Sequence, residues 1–318
     1  MRNAQLSALA AASIFLASAA SLDAQQVMRG APPAGPRTAD HPFTVPALSA
    51  PRAVQLADAG ASIALPAGRA PLTVFGNGVE LHLILETTGG PSELTDEAVS
   101  KLGLATRKHG GDTLTTATLD SVRIGDVTLR GLETVVTQGM LPPGIDGFLG
   151  LNAFRDLLLT LNRGAGTLQL SRGSLPAVNG TDVVKLLDAG RNQGFEIALG
   201  DQVFPAVVNS MSDGFANVPP AWSERVTFAT PLEVVGRARF GGGEAVEIKG
   251  ATLKGAAKVG SLSFDAPRIS AVPSPAWIPD VVSLGRAFLD QATITFDQKN
   301  GRVRVSPALP YPGPSTKS

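Results

Sequence analysis

The side chains best placed by type and setting to do chemistry in this 318-residue chain are Glu86 and Asn209. Glu86 opens the run Glu86-Thr87-Thr88-Gly89-Gly90-Pro91-Ser92, and Asn209 opens Asn209-Ser210-Met211-Ser212-Asp213-Gly214. Each run follows an apolar strand pattern, and the two read as worn copies of one motif. A carboxylate such as Glu86 can take or give a proton in general acid–base catalysis. An amide such as Asn209 can hold a water but cannot exchange a proton with it. Thr87 and Ser210 each put a hydroxyl at the second position, and Thr88 and Met211 stand third.

Other chemistries find less support. Ser174, Ser210 and Ser212 lack a Gly-x-Ser-x-Gly elbow and a His partner, which disfavours a serine hydrolase. His41, His82 and His109 have no ligand spacing, so no metal is expected, and no cofactor motif is present. Gly241-Gly242-Gly243 reads as a turn, since no Lys-Ser/Thr pair and helix follow it as in a phosphate loop. Asp146-Gly147 reads as a structural turn. Asp213, four residues past Asn209, is the best candidate for a substitute acid, although a one-residue slip would not bring it into place. Trp222 and Trp277 could line a groove or serve packing equally well.

The elements that must position the two runs form a repeat. Leu72–Phe75 reaches a Gly76-Asn77-Gly78 turn and returns as Val79–Leu85. Asn-Gly is a strong hairpin signal, because both central residues of a type I′ turn need positive φ. Phe195–Leu199 turns at Gly200-Asp201 and returns as Gln202–Val208. Each returning strand ends at its run. After the first, Thr95 is set to cap a short helix with Asp96 and Glu97 in its first turn and Gly103 at its end; Leu94, Ala98, Val99 and Leu102 would face the core. Ser121–Leu129 and Ala256–Phe264 read as further hairpins.

Each half then closes alike. Phe148-Leu149-Gly150 leads to an apolar strand, a Gly-rich turn and Thr167–Leu170; Ser283-Leu284-Gly285 leads to Ala292–Asp297, an Asn300-Gly301 turn and Arg302–Val305. The run-to-run offset is 209 − 86 = 123 and the Gly-to-Gly offset is 285 − 150 = 135. The difference of 12 is the size of a loop. An ordered set of features recurring at nearly constant offset is far harder to obtain by chance than any one short motif.

Composition narrows the partners. Formal net charge is 0, with Lys and Arg scattered, so nucleic-acid binding lacks its electrostatic basis. With no cysteine, disulfides and thiolate metal sites are excluded and the core alone must hold the protein. Arg2 followed by the weakly apolar run Ala4–Leu22 fits a secretory signal with cleavage after Ala19 or Ala24, and it is too dilute in apolar residues for a stable membrane anchor. The expected organisation is a signal peptide at 1–24, a Pro/Ala-rich N-terminal segment at 25–66, lobes at 67–176 and 190–307, and a flexible tail at 308–318. An exported protein, periplasmic or secreted, follows.

From about Pro71 to Val305 the chain resembles the bacterial retropepsin-like and pepsin-like aspartic proteases, in which two Asp-Thr-Gly loops, one from each lobe, supply a shared pair of aspartates. The better-kept parts are Gly89-Gly90-Pro91-Ser92, the helix ending Lys101-Leu102-Gly103-Leu104, and the two apolar-apolar-Gly segments. The resemblance implies an all-β, two-lobe fold with pseudo-twofold symmetry, Glu86 and Asn209 at the dyad positions, Gly150 and Gly285 as structural support, and Thr87 and Ser210 hydrogen-bonding the loops to each other. It further implies that Thr87, Thr88, Gly89, Ser210, Met211 and Ser212 border a cleft that takes a peptide or protein ligand.

The family's reaction requires two carboxylates about 3 Å apart sharing one proton. Asn209 cannot play either part. Glu86 carries its carboxylate about 1.5 Å further from the backbone than Asp would, and Thr88 and Met211 replace the glycines of the triplets. The expectation is a catalytically impaired binding protein; the alternative is a divergent aspartic-type endopeptidase using Glu86 and an unidentified second acid.

Overall fold

The computed structural model describes residues 48–68, 70–109, 114–137, 141–189, 192–239, 245–273 and 280–308. The signal peptide, His41, the Gly241–Gly243 turn, Trp277 and residues 309–318 of the tail lie outside the described residues. The architecture is all-β, with two lobes and a sheet shared between them.

The first lobe contains β1 (Ala53–Gln55), followed in the chain by β2 (Ala61–Ala64), β3 (Leu72–Gly76), β4 (Val79–Leu85), β5 (Glu93–Thr95), helix α1 (Asp96–Lys101), β6 (Thr106–His109), β7 (Leu114–Ile124), β8 (Val127–Thr137) and β9 (Gly147–Leu149). Then come β10 (Leu158–Asn162), β11 (Thr167–Ser171), β12 (Val183–Lys185) and β13 (Leu187–Ala189). The chain continues through β14 (Asn192–Leu199), β15 (Gln202–Val208), β16 (Ala216–Val218), α2 (Pro220–Ser223), β17 (Glu233–Arg239), β18 (Ala245–Thr252), β19 (Ala256–Val259), β20 (Leu262–Asp265), β21 (Arg268–Ala271), β22 (Val282–Leu284), α3 (Arg286–Leu289), β23 (Ala292–Asp297) and β24 (Arg302–Pro307).

Eight strands, in the order β1-β8-β5-β9-β4-β3-β7-β6, make the first lobe, with β7 also pairing β8; ten strands from β13 to β22 make the second. Six strands form the shared sheet, β12-β24-β23-β10-β11-β2, with β10 and β23 antiparallel at its centre. Part of the stretch read as an N-terminal segment, 25–66, is thus folded: β1 pairs with β8 and β2 with β11. β12, before the second lobe's expected start at 190, pairs with β24.

Local sequence explains the local geometry. Gly76 pairs with Val79 across Asn77 (φ 48°) and Gly78 (φ 85°), the double positive φ that the Asn-Gly pair tolerates. Thr95 caps α1, its Oγ1 accepting from the Ala98 N–H at 3.1 Å, and Asp96 and Glu97 occupy the positive first turn. Along β4, Leu81, Leu83 and Leu85 enter the main core while Ile84 points to the opposite face of the sheet, as the two-residue strand period requires.

The repeat holds at the level of register. Phe75 pairs with Arg123, and their counterparts Ala198 and Lys258 pair in the same way. The 12-residue offset change resolves into two places. Glu93 opposes Phe148 and Asn217 opposes Ser283, so the offset at that strand is 217 − 93 = 124, one residue having entered the preceding loop. By the turn glycines Gly125 and Gly260, with φ of 55° and 56°, it is already 135. The other eleven residues therefore lie between α2 and β19, around the β17–β18 hairpin.

Candidate functional site

The two loops hang from the two lobes in one way. β4 runs parallel to β9 with Leu85 opposite Leu149, and β15 runs parallel to β22 with Val208 opposite Leu284. One residue on, the Glu86 N–H donates to the Leu149 carbonyl at 2.9 Å and the Asn209 N–H to the Leu284 carbonyl at 2.7 Å. Glu86 is thereby set beside Gly150 and Asn209 beside Gly285. Both glycines have ordinary negative φ, −82° and −96°, so it is space and not conformation that selects them. A Cβ on Gly150 would lie 2.4 Å from the Gly90 carbonyl oxygen, and one on Gly285 would lie 2.3 Å from that of Gly214. Each loop rests directly on glycine backbone.

The loops then clasp each other across the lobe boundary. Thr87 Oγ1 donates to the Val208 carbonyl at 3.0 Å and accepts from the Ser210 N–H at 3.0 Å, while Ser210 Oγ donates to the Leu85 carbonyl at 2.9 Å. Both hydroxyls therefore do the same work in opposite directions, and they place positions 86 and 209 in one site. Thr88 adds a second bridge, its carbonyl accepting from the Gln193 N–H at 2.8 Å. Gly89 follows at φ +96°, where a Cβ would lie 2.2 Å from Gln193 N, so this position needs glycine for conformation and space alike.

At positions 86 and 209 both side-chain oxygens turn back on their own loops. Glu86 is 8% exposed, and its Oε1 accepts from the Thr88 N–H at 2.8 Å. Asn209 Oδ1 accepts from the Met211 N–H at 3.0 Å, and Nδ2 donates to Ser283 Oγ at 3.0 Å. The two residues thus share one local device, an acidic or amide oxygen bonded to the N–H two residues on. The Ser283 contact is the part the sequence reading missed. Its signal was available, since Ser283 precedes Leu284-Gly285 by strand alternation on Asn209's face. Asn152 was missed as well: its Oδ1 accepts from both the N–H and hydroxyl of Ser92, at 2.7 and 2.8 Å, and Ser92 Oγ in turn accepts from the Gly150 N–H at 3.0 Å.

Chemically, one carboxylate faces an arrangement that offers no second titrating group at position 209. Asp213, the candidate substitute acid, is ion-paired with Arg286 at the start of α3, where the Arg286 N–H also donates to the Ser212 carbonyl. That engagement fixes it to α3. Asp146 accepts from the His82 N–H at 2.8 Å and sits 3.8 Å from Lys101 Nζ, tying β4 to the approach of β9. Asp146-Gly147 is not itself the turn, which falls at residues 143–144, and Gly147 already begins β9. His82 is half-buried beside Glu80, and His109 Nε2 meets Thr116 Oγ1 at 3.0 Å. Among the described residues no group of three or more His, Cys, Asp or Glu is arranged to hold a metal.

Several residues expected to border a ligand are instead enclosed. Thr87, Thr88, Met211 and Ser212 are buried, and Ser212 Oγ accepts from Asn217 Nδ2 at 2.8 Å. Ser210 and Gly89 are half-buried. Thr87 and Ser212 brace the loops, and Met211 packs on Ile84 and Phe148 of the other lobe.

Neither a family model nor a curated protein matches the sequence. Among solved structures, the aspartic proteinase from Irpex lacteus matches over 80% of this chain and 99% of its own, with a TM-score of 0.50 and 10% identity. A retropepsin-like aspartic protease from Rickettsia conorii matches over 37% of this chain and 91% of its own, with a TM-score of 0.29 and 22% identity. The chain has the two-lobe fold of the aspartic proteinases, with both loops of the fold's centre present and paired.

Proposed function

We propose that this chain is an exported aspartic-protease-like protein that has lost proteolytic chemistry and binds a peptide or protein segment between its lobes. The observation that carries the reading is Asn209: an amide occupies one of the two dyad positions and is held by Met211 and Ser283. Peptide hydrolysis on this fold needs one group to take a proton from water while another protonates the amide being cleaved. Glu86 alone supplies one of these. Loss of general acid–base function costs about 10²- to 10⁴-fold in rate, and a misplacement of ~1 Å costs about 100-fold more. The scaffold on either side is kept, including the clasp and both supporting glycines, which is what continued use of the cleft for binding requires.

The rival reading, a divergent endopeptidase working through Glu86, rests on the carboxylate that remains. Purified protein lacking residues 1–24, incubated with an unfolded protein from pH 3 to 6, discriminates the two; titration with a library of extended peptides measures binding in parallel. We expect saturable peptide binding without cleavage. Cleavage that disappears in Glu86→Ala and persists through repeated purification would establish the rival. Export is supported by Arg2 and the Ala4–Leu22 run, and fusing residues 1–30 to a reporter active only outside the cytoplasm tests it.

A further inference from the structure

The pseudo-twofold makes each side of the cleft a control for the other, and at one place they differ sharply. Ile84 in β4 and Glu86 just past its end lie on one side by strand alternation, and Phe148 lies directly beside Ile84 on β9. Their face is apart from the main core, and the side chain that closes it is Met211 of the opposite loop, 5% exposed, with Leu141 and Ile145 packed at the margin. The counterparts across the axis are Val207, Ser283 and Thr88, at the offsets of 123 and 135. Three bulky apolar groups thus stand beside Glu86 where smaller and partly polar ones stand beside Asn209. Met211 and Ile84 also line, with Leu72, Leu161 and Leu289, a crevice between the lobes that adjoins this face. The corresponding residues of the other half are Phe195, Phe296 and Phe154, so the Met211 side carries smaller side chains at three positions.

We infer that Met211 is a movable plug and the specificity-determining residue of the cleft. In the described state it fills the apolar half-site of Ile84 and Phe148, the place where an apolar side chain of a bound peptide would lie next to Glu86. The neighbouring crevice is where its own side chain goes when a peptide displaces it. Methionine suits this task, being unbranched and flexible enough to fill either space. The asymmetry makes the ligand's orientation a consequence of the sequence: its larger apolar residue faces the Ile84 side, and a smaller or polar one faces Ser283. This inference rests on the binding reading above.

Two probes separate the inference from that reading. Indole, a small apolar molecule, is titrated into wild-type protein and Met211→Ala; emptied apolar cavities bind such molecules. Saturable binding to Met211→Ala and none to wild type is expected, and a folded Met211→Ala that takes up no indole overturns the plug. Met211→Val, which removes less volume, is read the same way should the alanine variant fold poorly. Peptides differing by Leu or Ala at each position form the second arm. At one position Leu is expected to gain about tenfold in affinity over Ala in Met211→Ala relative to wild type, equivalent to about 1.4 kcal/mol. Indole binding without peptide binding in either protein sustains the plug and removes the binding reading; peptide binding blind to Met211, with no indole uptake, does the reverse.

Discussion

Thr160 and Thr295 face each other across the central strand pair of the shared sheet with their hydroxyls 2.9 Å apart, and each is the other's counterpart in the repeat. Their separation, 295 − 160 = 135, is that of Gly150 and Gly285. A residue that pairs with its own counterpart lies on the symmetry axis. The Thr87–Ser210 clasp meets the same condition at the offset of 123, so the axis runs from the shared sheet to the centre of the site.

Because that contact joins two hydroxyls of β-branched residues, Thr160→Val or Thr295→Val alone should cost about 0.5–1.5 kcal/mol, with one hydroxyl left without its partner. The double variant should cost less than the sum, since two isosteric apolar groups then face each other and strand preference is kept. Urea unfolding of the four proteins forms the cycle. Strict additivity would mean that the contact carries no coupling.

Thr87→Val removes a donor to the Val208 carbonyl and an acceptor for the Ser210 N–H in a fully buried setting. A loss of ~1–3 kcal/mol is expected, read as a lower urea midpoint. Ser210→Ala removes the reciprocal bond to Leu85 and should act in the same direction by less, because Ser210 is half-buried. Unchanged midpoints for both would show that the clasp does not hold the lobes together.

At Gly150 and Gly285 the added methyl of alanine meets carbonyl oxygen of a neighbouring loop, and backbone cannot rotate away as a side chain can. Gly150→Ala and Gly285→Ala are each expected to cost about 3 kcal/mol or to prevent folding, at the upper end for overpacking. Soluble yield and thermal midpoint test this. By contrast Gly144→Ala, with nothing within 4 Å of the added Cβ, should show only the smaller strain of its positive φ.

Restoring aspartates should not by itself restore hydrolysis. Glu86→Asp with Asn209→Asp replaces the charged groups but leaves Thr88 and Met211, both buried, where the triplet glycines of the resembling proteases stand. Adding Thr88→Gly and Met211→Gly allows close backbone approach, and acid peptidase activity is expected only in the four-site variant. Strong recovery in the two-site variant would show that the third positions were never an obstacle.

The hairpins, the capped helix and the constant offsets were legible in the sequence because they depend on contacts a few residues apart: Asn77-Gly78 sets its own φ, Thr95 caps its own helix, and alternation assigns each strand's faces. These fixed the two-lobe fold and the positions of Glu86 and Asn209. Local pattern left out what depends on residues more than 60 positions apart. The folded part of 48–66 escaped the periodicity reading because β1 and β2 are short and are strands only through their pairing with β8 and β11. The partner of Asn209, the removal of Asp213 by Arg286, and the burial of Met211 against Ile84 and Phe148 were decided only when the lobes met. A side chain's type is written in the sequence, but the partner that satisfies it, and hence the chemistry left to it, is set by which distant backbone the fold brings within 3 Å.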